Sequence, residues 1–285
     1  MPTLAPMDAT LSTADGLKLQ LREWPCADSR GTVLIVHGLG EHIGRYEHVA
    51  AQLLRCGRSV VGYDQRGHGA SEGRRGALNH PDDLLADLAQ VIDAVRLQYP
   101  GPLTLLGHSM GGAVAARFVS GGLENTPAPA WFRSVDALVL SSPALDPGMS
   151  GAQKFALAVL GRLAPNLAVG NGLKPDWISR DAAVVKAYLD DPLVHDRITP
   201  KLARFIAAGG AFVRAHAAQW RVPTLLLYAG ADRCVAPAGS AAFVAAAPPG
   251  VVTARVFPAL FHEIFNEPEQ AEVLAALAAW LSAGG

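Results

Sequence analysis

Cysteine is scarce: Cys26, Cys56 and Cys234 are the three in 285 residues, odd in number and far apart, with no C-x-x-C spacing and no paired histidines. A disulfide framework and a structural zinc site are therefore not expected, and reduced thiols are. Charge is also thin. Charged residues make up 17% against about 25% in ordinary soluble chains, the net charge is −1, and no Lys/Arg tract occurs. The basic footprint needed to neutralise a phosphate backbone is missing, which excludes nucleic acid as a partner. No uninterrupted run of about 18 apolar residues is present, and residues 1–10 carry neither a basic start nor an apolar stretch of the kind that directs export. The expectation is a chain that stays in the cytoplasm. What the sequence does have is apolar material, at 50% hydrophobic residues, enough for a large buried core.

Short runs rich in Val and Leu alternate with longer amphipathic stretches. Parallel strands buried on both faces by crossover helices give that pattern, so the class is α/β with a mostly parallel central sheet. Residues 10–13 and 17–24, joined by Ala14-Asp15-Gly16, read as an opening hairpin. Further strands are expected at 32–36, 59–63, 103–106, 137–140, 224–228 and 251–257. The clearest helix spans 82–98, with Leu84, Leu85, Leu88, Val91, Ile92 and Val95 on one stripe. The alternation breaks once. Between Leu145 and Trp220 the pattern is helical, with no convincing strand for about seventy residues, too long for an ordinary loop. The reading is a core of residues 1–145 and 221–285 and a helical cap of residues 146–220 inserted after the sixth strand. Pro143, Pro147 and Gly148 at one end and Arg221-Val222-Pro223 at the other mark its hinges.

The motif G-x-S-x-G occurs twice. Gly107-His108-Ser109-Met110-Gly111 lies between an apolar strand and a helical segment; Gly69-Ala70-Ser71-Glu72-Gly73 has neither flank. A serine on a sharp strand-to-helix turn projects its hydroxyl above the sheet at a helix N-terminus and needs small residues at ±2 to let strand and helix approach. Ser109 is therefore the candidate nucleophile, and Ser71 is expected to be a solvated loop serine. Attack on a carbonyl puts charge on oxygen, which backbone N–H donors stabilise. Met110, after the nucleophile, and Leu39, in the glycine-rich His37-Gly38-Leu39-Gly40 turn, are the expected donors.

On such a sheet the partners follow the serine in the chain order acid, then histidine. Of the nine histidines, His195, His216 and His262 come after Ser109. His195 and His216 fall in the insertion, whereas His262 follows the last strand on a loop that can overhang the carboxyl edge of the sheet. For the acid, Asp232 in Gly230-Ala231-Asp232-Arg233 follows the 224–228 strand on the same rim. It would accept the Nδ1 proton of His262 and leave Nε2 to take the serine proton.

These residues resemble the monoacylglycerol lipase and lysophospholipase group of the α/β-hydrolase superfamily, over nearly the whole chain. The likeness rests on the stretches His37-Gly38-Leu39-Gly40-Glu41-His42-Ile43-Gly44-Arg45-Tyr46, Asp64-Gln65-Arg66-Gly67-His68-Gly69-Ala70-Ser71-Glu72-Gly73, Gly107-His108-Ser109-Met110-Gly111-Gly112, Leu140-Ser141-Ser142-Pro143-Ala144-Leu145 and Gly230-Ala231-Asp232-Arg233. The resemblance recasts Ser71 as part of a structural loop signature. It implies a cap over an acyl-chain tunnel, a triad of Ser109, Asp232 and His262, and Glu41, Arg45 and Tyr188 near the alcohol side of the site. A surface ion pair for Glu41 and Arg45 and a core aromatic for Tyr188 are the plainer alternatives.

The expected activity is hydrolysis of carboxylic esters, most naturally monoacylglycerols or similar monoacyl lipids, through an acyl-enzyme, with no metal and no organic cofactor. A lysophospholipase or broad-specificity esterase would use the same three residues, and a non-catalytic ligand-binding protein could keep the fold. A peptidase is disfavoured because the sequence has no obvious acidic cluster to receive a substrate amine. In the cap, Phe155, Leu157, Val159, Leu160, Leu163 and Leu167 form an apolar stretch with only Lys154 and Arg162 as charges. It could line a tunnel mouth or touch a lipid interface, making the protein peripheral at membranes, or simply pack onto the sheet.

Overall fold

A computed structural model describes residues 6–123 and 127–284. Of the N-terminal stretch read for an export signal, residues 1–5 lie outside the described residues. Ten strands and eight α-helices follow in the order β1 (Met7–Ser12), β2 (Lys18–Trp24), β3 (Thr32–Val36), α1 (Glu47–Arg55), β4 (Ser59–Tyr63), α2 (Asp83–Gln98), β5 (Leu103–His108), α3 (Ser109–Ser120), β6 (Ala137–Ser141), α4 (Gly151–Leu163), β7 (Val169–Gly170), α5 (Ala182–Asp190), β8 (Arg197–Ile198), α6 (Pro200–Ala215), β9 (Thr224–Ala229), α7 (Pro237–Ala246), β10 (Val252–Phe257) and α8 (Gln270–Ser282), among the described residues.

Eight strands form one sheet in the order β1-β2-β4-β3-β5-β6-β9-β10. The β1–β2 and β2–β4 pairings are antiparallel and the rest parallel. The central strands are apolar throughout because both of their faces are covered. Leu34 and Val36 join the core on the side of α2 and α3, where Leu84, Leu88, Ile92 and Phe118 lie. Val33 and Ile35 point the other way, toward Val49 and Leu53 of α1 and Val273 and Leu277 of α8. The two-residue period of a strand thus feeds two cores from one segment. The edge strands β1 and β10 are exposed along most of their length.

Three readings need correction. The hairpin strand starts at Met7, three residues earlier than the pattern suggested, because β1 is a polar, solvated edge with little apolar alternation. The insertion is not purely helical: β7 and β8 pair antiparallel, Val169 with Ile198 and Gly170 with Arg197. Two-residue strands leave no periodicity to read. Ser71 is buried, not solvated. Its Oγ donates to the Asp64 carbonyl at 2.5 Å and accepts the Gln20 N–H at 2.8 Å, tying the loop that follows β4 to β2.

The chain leaves the sheet after β6 and returns in β9, the direct neighbour of β6. In between it is fastened over the carboxyl ends of the strands. His195 N–H donates to the Gly40 carbonyl at 2.9 Å, Thr199 N–H donates to the Gly76 carbonyl at 2.9 Å, and the Ile178 carbonyl accepts the Glu263 N–H at 2.8 Å. The α4 face carrying Phe155 and Leu163 is not packed onto the sheet, since those side chains are 73% and 79% exposed.

Candidate active site

The sheet order reverses at β3: β4 lies on one side of it and β5 on the other. Crevices at such switch points, outside the carboxyl ends, are where ligands bind on open α/β sheets. Ser109 occupies this one. It joins β5 to α3 with φ +53°, a left-handed conformation shared by one other described non-glycine residue, Ser142 (φ +39°). A Cβ on Gly107 would stand 2.5 Å from the Gly111 carbonyl oxygen, so the turn closes only with small residues on both sides of the serine.

The carboxyl ends of β9 and β10 carry the other two groups. Gly230 N–H donates to Phe257 O at 2.8 Å and Ala231 N–H to Leu260 O at 3.2 Å, which stitches the loop of Asp232 to that of His262. The Ser109 hydroxyl donates to His262 Nε2 at 2.7 Å, and His262 Nδ1–H donates to Asp232 Oδ2 at 2.7 Å. Asp232 Oδ1 accepts the N–H groups of Cys234 and Val235 at 2.8 and 3.0 Å. Burial would raise the Asp232 pKa, but the His262 charge and these hydrogen bonds hold it below the usual carboxylate range. Burial would lower His262, yet Asp232, and beyond it Glu263 and Glu41, bring it above the ordinary imidazole value. This geometry can take a proton from a hydroxyl and stabilise the imidazolium that results.

Leu39 follows β3 on the opposite wall, and its N–H meets no acceptor among the described residues. Met110 is in the first turn of α3, where N–H groups have no carbonyl one turn back to bond. Glu41 holds the Leu39 loop in shape. Its Oε1 accepts the Gly38 N–H at 2.6 Å and the Tyr46 hydroxyl at 2.7 Å, and its Oε2 accepts from Arg45 Nη1 at 2.9 Å. Arg45 also donates Nη1 and Nη2 to Glu263 at 2.6 and 2.7 Å, and its guanidinium lies 4.9 Å from the centre of the Tyr188 ring. Glu41 and Arg45 are thus a buried pair, not a surface one, because Glu263 and Tyr46 enclose them.

A cavity of about 300 Å³ opens on Ser109 and His262. Leu39, Glu41 and Glu263 line its core side; Leu173, Ile178 and Tyr188, among others, line its roof. Arg45 does not reach it. Four carboxylates border the space, and each is already engaged: Glu41 and Glu263 by Arg45, Asp191 by His42 at 2.8 Å, and Asp196 by Arg197 at 3.2 Å. Asp232, Cys234 and His262 offer ligand atoms within 4.8 Å of one another, but the carboxylate and imidazole are committed to each other.

Sequence reasoning missed Glu263, Tyr46 and His108. His108 packs on His262 with ring centres 4.9 Å apart and hydrogen-bonds Ser141 Oγ. Burial and the His262 charge hold it at about 3, so it stays neutral and does not compete as a base. The adjacency of Glu263 to His262 was the available signal, but its partner Arg45 is 218 residues away.

An eight-stranded sheet with this order, a left-handed serine after its fifth strand, and acid and histidine on later strand ends define an α/β-hydrolase. The chain belongs to the serine aminopeptidase S33 family, whose model matches residues 27–269, and within it to the monoacylglycerol lipase-like carboxylic-ester hydrolases. It is 36% identical over 271 residues to a monoacylglycerol lipase of Mycolicibacterium smegmatis, covering 93% of each chain. It is 33% identical to a human monoglyceride lipase, over 90% of this chain and 84% of the other. The crystal structure of a Paleococcus ferrophilus monoacylglycerol lipase superimposes with a TM-score of 0.79 at 31% identity, covering 99% of this chain and 100% of that one.

Proposed function

We propose that the protein hydrolyses monoacylglycerols or closely similar monoacyl lipids through an acyl-enzyme. The observation that carries this reading is the unbroken relay from Asp232 through His262 to Ser109 at the floor of a roofed cavity. Ser109 Oγ attacks the ester carbonyl and its proton passes to His262 Nε2. The carbonyl oxygen, now negative, accepts hydrogen bonds from Leu39 N–H and Met110 N–H. As the carbon–oxygen bond to the alcohol breaks, His262 returns the proton to the departing oxygen. Water then gives a proton to His262 and attacks the acyl-serine, and as the tetrahedral adduct collapses His262 returns that proton to Ser109 Oγ, freeing the fatty acid.

Residues 146–220 act in this reading as a cap over a core of residues 1–145 and 221–285. Glu41 and Tyr188, which line the cavity, face the alcohol, and Arg45 holds them from behind. The exposed apolar face of α4 touches the lipid interface that supplies the substrate. The family description speaks of an aminopeptidase, but the buried carboxylates at the cavity, Glu41 and Glu263, are both taken up by Arg45, which favours an ester over a substrate amine.

The test is a substrate panel on the purified protein together with Ser109→Ala. Monoacylglycerols of graded chain length are expected to be cleaved in preference to lysophosphatidylcholine and an amino-acid p-nitroanilide. A fluorophosphonate probe is expected to label the wild type and not the variant. Preference for the anilide, or labelling that survives Ser109→Ala, defeats the reading.

A further inference from the structure

The Glu41–Arg45–Glu263 chain joins two parts of the site that come from opposite ends of the sequence. One end of it sets the loop that presents Leu39 N–H: Glu41 accepts the Gly38 N–H at 2.6 Å and is itself braced by the Tyr46 hydroxyl. The other end sets the loop that presents His262. Glu263 is the next residue, its carboxylate receives both Arg45 nitrogens and the Asn266 amide, and its N–H is fixed to Ile178 of the insertion. Glu41 and Glu263 are 3% and 5% exposed. Arg45, sharing Nη1 between them, is the only group that touches both carboxylates among the described residues.

We infer that Arg45 and Glu263 are positioning residues of the esterase site: Arg45 fixes the distance between the oxyanion-binding loop and the imidazole, and the Glu263 carboxylate stabilises the His262 imidazolium alongside Asp232. The inference rests on the serine-hydrolase reading above and gives Arg45 and Glu263, neither of which touches the reacting atoms, a positioning role in it.

The charge balance supports the second half. Glu41 and Glu263 share the single Arg45 guanidinium beside the imidazole, and Glu263 takes two of the three hydrogen bonds it gives them. Three donors converge on Glu41 (Gly38 N–H, Tyr46 O–H and Arg45) and three on Glu263 (two from Arg45, one from Asn266). Burial nevertheless raises the Glu41 pKa against the pull of Arg45. Burial opposes ionisation of Glu263, but Arg45 outweighs it and holds its pKa at about 2. The groups that face His262 are Asp232, Cys234, Glu263, Glu41, Arg45, His108 and Ser109. Cys234 is pushed well above its usual range by burial and is neutral, as is His108. The anions acting on the imidazole are therefore Asp232 and Glu263, with a lesser contribution from Glu41, whose pKa burial raises.

The two roles separate by substitution. Glu263→Gln keeps the shape and removes the charge. Its acid limb in kcat/KM is expected to move to lower pH by about half a unit to one unit, with KM for a short p-nitrophenyl ester nearly unchanged. Arg45→Lys keeps the charge and loses the fork that spans both carboxylates. Its kcat is expected to fall about ten- to a hundredfold, as small displacements of catalytic groups do, while the acid limb stays in place. Glu263→Asp should return the limb toward the wild-type position. The readout is the pH profile of fluorophosphonate labelling and of ester turnover, with thermal melting for folding. A wild type that is not labelled overturns the esterase reading and this one with it. A labelled wild type whose Glu263→Gln limb and Arg45→Lys kcat match its own overturns this inference alone. If Glu263→Gln does not fold, Arg45→Lys decides.

Discussion

Gly111 packs so tightly on Val36 that a Cβ added to it would overlap the Val36 carbonyl oxygen, and the His37 carbonyl lies almost as near. The first turn of α3 thereby rests directly on the end of β3, and this contact brings Ser109 within reach of the loop bearing Leu39. The blocking atoms are backbone, so no rotamer change can relieve the overlap. Gly111→Ala is expected to destabilise by at least about 3 kcal/mol and to abolish turnover, measured by denaturant unfolding. Gly151, at the start of α4, has open space around its Cα. Gly151→Ala should be neutral or stabilising by up to about 1 kcal/mol, since alanine favours the helix and restricts the unfolded chain.

Ser109 holds a backbone conformation that costs a side-chain-bearing residue about 1–2 kcal/mol. Both Ser109→Ala and Ser109→Gly remove the hydroxyl, and each should lower kcat on a p-nitrophenyl ester by on the order of 10⁴ or more. They should differ in stability. Glycine escapes the left-handed penalty and gives back roughly 0.4–1 kcal/mol through its freer unfolded chain, so Ser109→Gly should melt a few degrees above Ser109→Ala. Equal melting temperatures would mean that the turn is not strained.

The fold was legible because parallel strands buried on both faces announce themselves as unbroken apolar runs, and 32–36 and 59–63 were read to the residue. Strands β5, β6 and β9 run one or two residues further than read, two of them into polar ends, His108 and Ser141. Ser109 could be told from Ser71 because only one of the two glycine-flanked serines sits between a strand and a helix. Chain order and strand ends singled out His262 and Asp232, which lie hydrogen-bonded in line with Ser109. The start of edge strand β1 and the β7–β8 pair were not legible, since neither shows an apolar pattern. The Arg45–Glu263 pair was hidden because nothing local marks two charges that meet only after the chain has folded.

The pH dependence follows from the direction of two shifts. His262 must be neutral to accept the serine proton, and its folded pKa lies above 6.5, so the acid limb of kcat/KM should fall above 6.5 and activity should rise through it. The same raised pKa contributes stability below pH 6.5 that is lost as pH rises through the folded value. Asp232 works in the opposite direction: its lowered pKa contributes stability above the usual carboxylate range that is lost in acid. Asp232→Asn should shift the acid limb downward and reduce kcat by on the order of 10⁴, because the amide removes the negative charge and disturbs the tautomer. A pH–rate profile from 5 to 9 on both proteins checks this.

The proposed lipid contact can be tested on the exposed apolar face of α4. Ser150 and Gln153 close a reciprocal cap at its start, so the helix is built to hold its shape without burying its apolar side. Phe155, Val159 and Leu163 recur at four-residue intervals and stay exposed. Solvating large apolar groups in a row is unfavourable, and a lipid surface relieves it at about 1.5–3 kcal/mol per fully buried side chain. Replacing Phe155 and Leu163 with serine should therefore weaken partitioning onto vesicles of monoacylglycerol and phosphatidylcholine by about tenfold or more per site. Turnover of a water-soluble p-nitrophenyl ester should be untouched, because neither side chain lines the cavity. Loss of both activities together would place the two residues in the substrate path, while unchanged partitioning would remove α4 from any lipid contact.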